Sequence, residues 1–168
     1  HHAAAEARPG VAEEDTGGTN PKIKVTDGSG HSWGVKWGSE IHGEVFASRL
    51  VWAAGYFVEP SYYVSAGRVQ GVKDAGRAEK YLKSDGNFTD ARFELKNKEI
   101  AKQTDKESWS WDNNPFKGTR ELNGLKVLVM LTSNWDPKDQ QDDQSNTAIY
   151  TSRATGELQY VDSDWGAT

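Results

Sequence analysis

The longest apolar rhythm in the chain lies between Gly118 and Asn146. Leu122, Leu125, Val129 and Thr132 recur at helical spacing, and Val127, Leu128 and Leu131 widen the stripe almost to the full circumference. A helix apolar nearly all round belongs inside a domain, so the pattern predicts a buried helix over Leu122 to Leu131. Thr119 is placed to cap its start, and Glu121 falls in the first turn, where the helix dipole favours an acid. Pro137 is expected to stop it, because proline disfavours helix in the residue before it. That helix would deliver Trp135 and Asp136 onto a loop dense in Asp, Asn, Gln and Lys.

Upstream the period changes. Lys22 to Trp37 reads as a hairpin, with KIKVT and HSWGVKW flanking a turn at Asp27-Gly28-Ser29-Gly30. Trp33, Val35 and Trp37 share one face of its second strand, which leaves Lys36 on the other. Ile41 to Phe57 predicts a helix with Phe46, Leu50, Ala53 and Phe57 on one side. Glu44, Ala47, Val51 and Gly55 form a smaller stripe nearly opposite, a small-residue face suited to close packing. Short strands are expected at Tyr62 to Val64, Phe88 to Leu95, Thr147 to Tyr150 and Leu158 to Val161, the last two as a hairpin. A short helix is expected over Ala75 to Lys83, ended by Asp85-Gly86. Lys96 to Lys106 reads as a charged, solvated connection, and Trp109-Ser110-Trp111 as a strand edge. His1 to Asn20, rich in Ala, Glu and Gly without period, reads as a mobile arm (residues 1–20) ahead of one domain over 21–168.

Composition narrows the classes. The 168 residues are 35% hydrophobic with seven Trp, six Tyr and five Phe, enough aromatic bulk to build cores. The net charge of −5 offers no basic surface of the kind nucleic acid requires. There are no cysteines, which excludes disulfides and thiolate metal sites. No apolar run approaches the ~20 residues of a membrane-spanning helix. His31 and His42 stand on different elements, and no Gly-x-Ser-x-Gly nucleophile elbow occurs.

Lys36 on a strand, Glu44 on the next helix, Asp136 after the main helix, then Asn146 and Asp164 follow the order of parts that phosphoryl transfer from a nucleotide uses. A strand lysine meets the phosphates and is oriented by a helix glutamate, a loop Asp handles the acceptor's proton, and an Asn and a second Asp hold Mg²⁺. Asp164-Trp165-Gly166 stands where the metal-binding Asp-Phe-Gly would stand, and Asn134-Trp135-Asp136 where His-Arg-Asp would. Asp139 is a second candidate for the base or metal role, and Gly28 and Gly30 are candidates for a phosphate-covering turn. Each residue also has an ordinary structural reading: Lys36 and Glu44 as a surface pair, Asp136 as a turn former, Asp139, Asp142 and Asp143 as a solvated loop.

GTNPKI (18–23), VKWG (35–38), EVFASRLVWAAGYF (44–57), WSWDNNPFKGTRELNGLKVLVML (109–131), SNWDPKD (133–139) and VDSDWGAT (161–168) together resemble a family of bacterial proteins, often exported, with no assigned activity. The resemblance spans Gly18 to the end and implies a periplasmic or extracellular location and a chain that is incomplete at both ends. More distantly the chain is similar to the kinase-like superfamily, in particular its lipid-kinase and toxin-kinase branches. That likeness implies an α+β, kinase-like fragment: a small antiparallel sheet with one packed helix, then a buried helix and a β-hairpin. It implies ATP and Mg²⁺ as cofactors, with Lys36 on phosphates, Glu44 orienting it, Asp136 as base, and Asn146, Asp164 and Asp139 on metal. The acceptor is not named by any residue. The competing expectations are a non-catalytic binding or scaffold protein that keeps the cleft without turnover, and a carbohydrate-binding module using Trp109 and Trp111 as a stacking platform.

Overall fold

A computed structural model of the chain describes residues 13–14, 20–72, 74–96, 100–102, 108–134, 146–163 and 165–166. The fold is α+β, with two antiparallel sheets, and it divides into two compact units: residues 1–45 with 60–97, and residues 46–59 with 98–168.

The first unit is built on a five-stranded sheet. Its strands are β1 (Glu13–Glu14), β2 (Lys22–Thr26), β3 (Ser32–Lys36), β4 (Ser61–Arg68) and β5 (Asn87–Lys96), in the order β1-β2-β3-β5-β4. β1 lies within the stretch that reads as an arm and pairs Glu13 with Lys24. The β2–β3 hairpin forms where alternation and the Asp-Gly turn predict it, and its register sets Ile23 opposite Val35 and Lys22 opposite Lys36. Helix α1 (Ile41–Ala53) follows β3 directly, ending short of Phe57.

Alternation divides the sheet into two chemically different faces. Val35, Trp37, Ala91 and Phe93 lie on one face and are buried with Ile23, Val25 and Phe88. Asp90 takes φ 51°, and at this point the alternation of β5 changes phase, so that Phe88 and Ala91 both reach the same core. The segment from Val69 to Leu82, including a 3₁₀ helix at Gly76–Tyr81, packs on this face. It re-enters the sheet through a turn that requires glycine: Gly86 has φ 82°, and a Cβ there would fall 2.0 Å from the Val69 carbonyl oxygen. The other face carries Lys36, Arg92, Glu94 and Lys96 on adjacent strands.

The second unit contains β6 (Ile100–Lys102), α2 (Arg120–Leu131), β7 (Thr147–Ser152) and β8 (Leu158–Asp162), with the sheet ordered β6-β7-β8. β6 lies inside the stretch Lys96 to Lys106 that reads as a connection, and it pairs with β7. Trp109 to Trp111 is not a strand; it is a loop leading to α2. Thr119 caps α2 as its position predicts, its hydroxyl accepting from the Leu122 N–H at 3.2 Å.

α2 differs from expectation in its burial and its end, whereas α1 packs by the small-residue face suited to close packing. On α2 only Leu122 and Leu125 are buried, while Val127, Met130 and Leu131 are exposed, so this is a one-sided helix and not an all-round buried one. It also ends before Pro137 is reached: Thr132 closes it, with its N–H on the Leu128 carbonyl, and Ser133 turns at φ 53°. On α1 the small stripe wins, because Ala47 and Val51 admit the close approach of Trp109, Leu122, Leu125 and Trp165, whereas Phe46 and Trp52 are more than half exposed. No helix among the described residues is long and apolar enough to cross a membrane.

Candidate functional site

Charged side chains gather on the polar face of the first sheet. Lys36 ends β3, and α1 begins five residues later, so its first turn brings Glu44 back over the strand. The Lys36 ammonium lies 3.1 Å from Glu44 Oε2 and 3.3 Å from Glu40 Oε2. Arg92, paired with Lys36 across β3 and β5, reaches the other Glu44 oxygen, Nη2 to Oε1 at 3.1 Å. Lys36, Glu44 and Arg92 are each less than 10% exposed. Glu94 bonds Arg92 and Lys96, and Asn20 donates to Glu40 Oε2 at 2.7 Å. Three cations and three carboxylates thus alternate on a sheet face where an apolar layer would stabilise the fold at least as well. Such a cluster is a site candidate on physical grounds.

Lys36 and Glu44 are therefore brought together. Arg92 is the member that the reading of the hairpin and helix missed. Its signal is present in the sequence: Ala91, Phe93 and Leu95 alternate with Arg92, Glu94 and Lys96, so a strand with one apolar face must place all three charges on the other.

The electrostatics follow from these contacts. Burial pushes the Glu94 carboxyl up, but the Arg92 guanidinium and Lys96 ammonium outweigh it and hold the group below its ordinary value. In the hairpin turn, desolvation raises the Asp27 carboxyl while hydrogen bonds from Trp33 Nε1 and the His31 and Ser29 N–H groups draw it well below the carboxylate range. Both groups bind protons less readily folded than unfolded. Their stabilisation is complete above the unfolded carboxylate value of ~4 and is lost as pH falls through the lower folded value. Urea midpoints measured from pH 7 down to pH 3 are expected to be level above about pH 5 and to decline below it. Asp27→Asn should flatten part of that decline, and an unchanged slope would contradict this assignment.

The other candidates are placed less centrally. Gly28 and Gly30 sit in the β2–β3 turn, where the Ser29 and His31 amides are already turned onto Asp27 Oδ1 at 2.8 and 2.9 Å. Those two amides are occupied within the turn. Asn146 belongs to the second unit, just before β7, and its carbonyl accepts from the Ser163 N–H and hydroxyl. Asp136, Asp139 and Asp164 lie outside the described residues, and among the described residues no group of three or more metal-ligating side chains occurs. Trp109 is 4% exposed and donates Nε1 to the Val161 carbonyl at 3.0 Å, so it is a core residue and presents no stacking platform for a sugar.

No family model matches the chain, and no curated protein matches it. Among solved structures, the chain is similar to a Helicobacter pylori proinflammatory kinase, CtkA, with a TM-score of 0.42 and 13% identity. The match covers 93% of this chain and 56% of that one, so this chain spans little more than half the length of that kinase.

Proposed function

We infer that the first unit is a kinase-like nucleotide-binding unit in which Lys36 takes the phosphates of a nucleotide and Glu44 orients it. One observation carries this reading: a strand lysine and a carboxylate from the following helix, 3.1 Å apart and both buried. That is the pairing phosphoryl-transfer sites of the kinase type use to aim an ammonium at phosphate oxygens.

ATP is the proposed nucleotide. Mg²⁺ would accompany its phosphates and neutralise developing charge, and Asn146, Asp164 and Asp139 are the residues the sequence offers for it. Asp136 is the proposed base if the bound nucleotide is turned over. Glu44, neutralised on its far oxygen by Arg92, holds the Lys36 ammonium without forming a closed one-to-one pair. The lysine can then share its protons with a phosphate while Glu44 stays compensated.

Thermal unfolding with and without Mg·ATP tests this. At about one hundred times Kd a single site adds ~2.7 kcal/mol, which is several degrees for a chain of this size. The shift is expected with ATP, to be much smaller with adenosine, and to vanish in Lys36→Met. Equal shifts for ATP and adenosine, or for wild type and Lys36→Met, would overturn the reading. ADP release in the same samples separates transfer from binding alone, the outcome expected of a scaffold that keeps the site without turnover.

A further inference from the structure

The second unit holds a cavity of about 230 Å³, remote in chemistry from the charged sheet face. Its walls are Tyr56, Phe57, Trp109, Phe116 and Tyr160, and α2 supplies the Leu122 and Leu125 floor. Glu121 is the one carboxylate in the lining, and no Lys, Arg or His belongs to it among the described residues. Phe116 and Tyr160 meet at a right angle, their centroids 4.9 Å apart at 89°, which forms a corner of two rings.

The polar ends of the walls are already used. Trp109 Nε1 donates to the Val161 carbonyl, and the Tyr56 hydroxyl donates to the Glu121 carbonyl at 2.7 Å. An occupant therefore meets ring carbon beside Glu121, with few hydrogen-bonding groups to offer a sugar or a base. Aromatic faces are electron-rich, so the four partly exposed rings of Tyr56, Phe57, Phe116 and Tyr160, beside Glu121, make the cavity attractive to positive charge. A neighbouring contact shows the same preference: the Lys126 ammonium lies over the Trp111 ring at 5.9 Å, and Trp111 packs edge-on against Trp109. The volume is below the ~300–1,000 Å³ of clefts that enclose drug-sized ligands. A compact headgroup matches it.

We propose that this cavity binds a quaternary ammonium group, with the aromatic walls surrounding the methyls and Glu121 balancing the charge. A hydrated primary amine would lose more solvation on entry than these walls return, whereas a methylated ammonium carries an apolar surface over its charge. The headgroup can come from a free choline-like solute or from a choline lipid, and both present the same chemistry to the site.

The test is a titration of the full chain with choline, followed at the Trp109 indole N–H resonance. Its control is 3,3-dimethyl-1-butanol, which has the same shape with carbon in place of nitrogen. Saturable choline binding is expected, about tenfold or more tighter than the neutral isostere. Phe116→Ala and Glu121→Gln, both at exposed positions, should each weaken choline several-fold while leaving the isostere nearly unchanged for Glu121→Gln. Co-sedimentation with phosphatidylcholine vesicles that choline competes away would identify the lipid as source; choline binding without it would identify the free solute. Equal affinity for choline and its neutral isostere, or no saturable response to choline, would overturn the proposal.

Discussion

Glu44→Ala is expected to destabilise the first unit by about 3–5 kcal/mol, the cost of leaving buried charge without its partner. The carboxylate has a cation on each oxygen, Lys36 on Oε2 and Arg92 on Oε1, and its side chain is 5% exposed. Removing it leaves an ammonium and a guanidinium facing one another on adjacent strands, with Glu40 and Glu94 only partly compensating. Urea unfolding followed by tryptophan fluorescence would measure the loss. The informative companion is the double variant Lys36→Met with Glu44→Leu. Apolar replacement of a whole buried ion pair is often neutral or stabilising, and Arg92 keeps Glu94. The double variant is therefore expected to recover most of the lost stability and none of the ligand binding. A double variant as unstable as Glu44→Ala would mean that the ion pair is a structural necessity.

Trp37→Ala is expected to cost about as much, ~3–5 kcal/mol, for a different reason. Trp37 is fully buried, stacked on Tyr81 with centroids 6.0 Å apart and edge-on to Phe88 at 5.8 Å. Truncation opens a large void between the sheet and the segment that covers it. Its indole N–H has no hydrogen-bond partner among the described residues, which is itself a destabilising feature. Trp37→Phe is accordingly expected to cost clearly less than Trp37→Ala, since it deletes the unpaired group along with part of the ring. Equal losses for the two would show that packing volume alone decides.

Local signals made the first unit legible. Alternation in β2 and β3, an Asp-Gly turn and a strand lysine on the polar side of a tryptophan ladder specify the hairpin and the direction of Lys36 together. Helical spacing then returns Glu44 over the strand. The second partner of Glu44 was harder to see, because Arg92 lies far along the chain on a strand whose phase shifts at Asp90. Its odd-even pattern is readable only once β5 is known to lie beside β3.

The helices show the limit of counting apolar residues. Phe46 and Trp52 carry more apolar surface than Ala47 and Val51, yet the small pair is buried and the bulky pair exposed. What decides burial is which face a neighbour can approach, and small residues allow that approach. Val127, Met130 and Leu131 make the same point on α2: an apolar residue is buried only where another surface meets it. Trp109 and Trp111 alternate as a strand would, but the tight Ser110–Asn113 turn and the Trp109 bond to Val161 make them the core end of a loop. The proposed metal-binding residues follow from motif order alone, since order carries no distance.

The central proposal is that Lys36 meets the phosphates of a bound nucleotide, aimed by Glu44, which Arg92 in turn compensates. Lysine side-chain ¹H–¹³C spectra, with the Lys36 ε-methylene signal assigned through Lys36→Arg, report on that ammonium directly. Titration with Mg·ATP is predicted to shift this signal saturably, with inorganic triphosphate moving it in the same direction and adenosine leaving it in place. A Lys36 signal that stays fixed through a saturating titration, while other resonances move, would contradict the account.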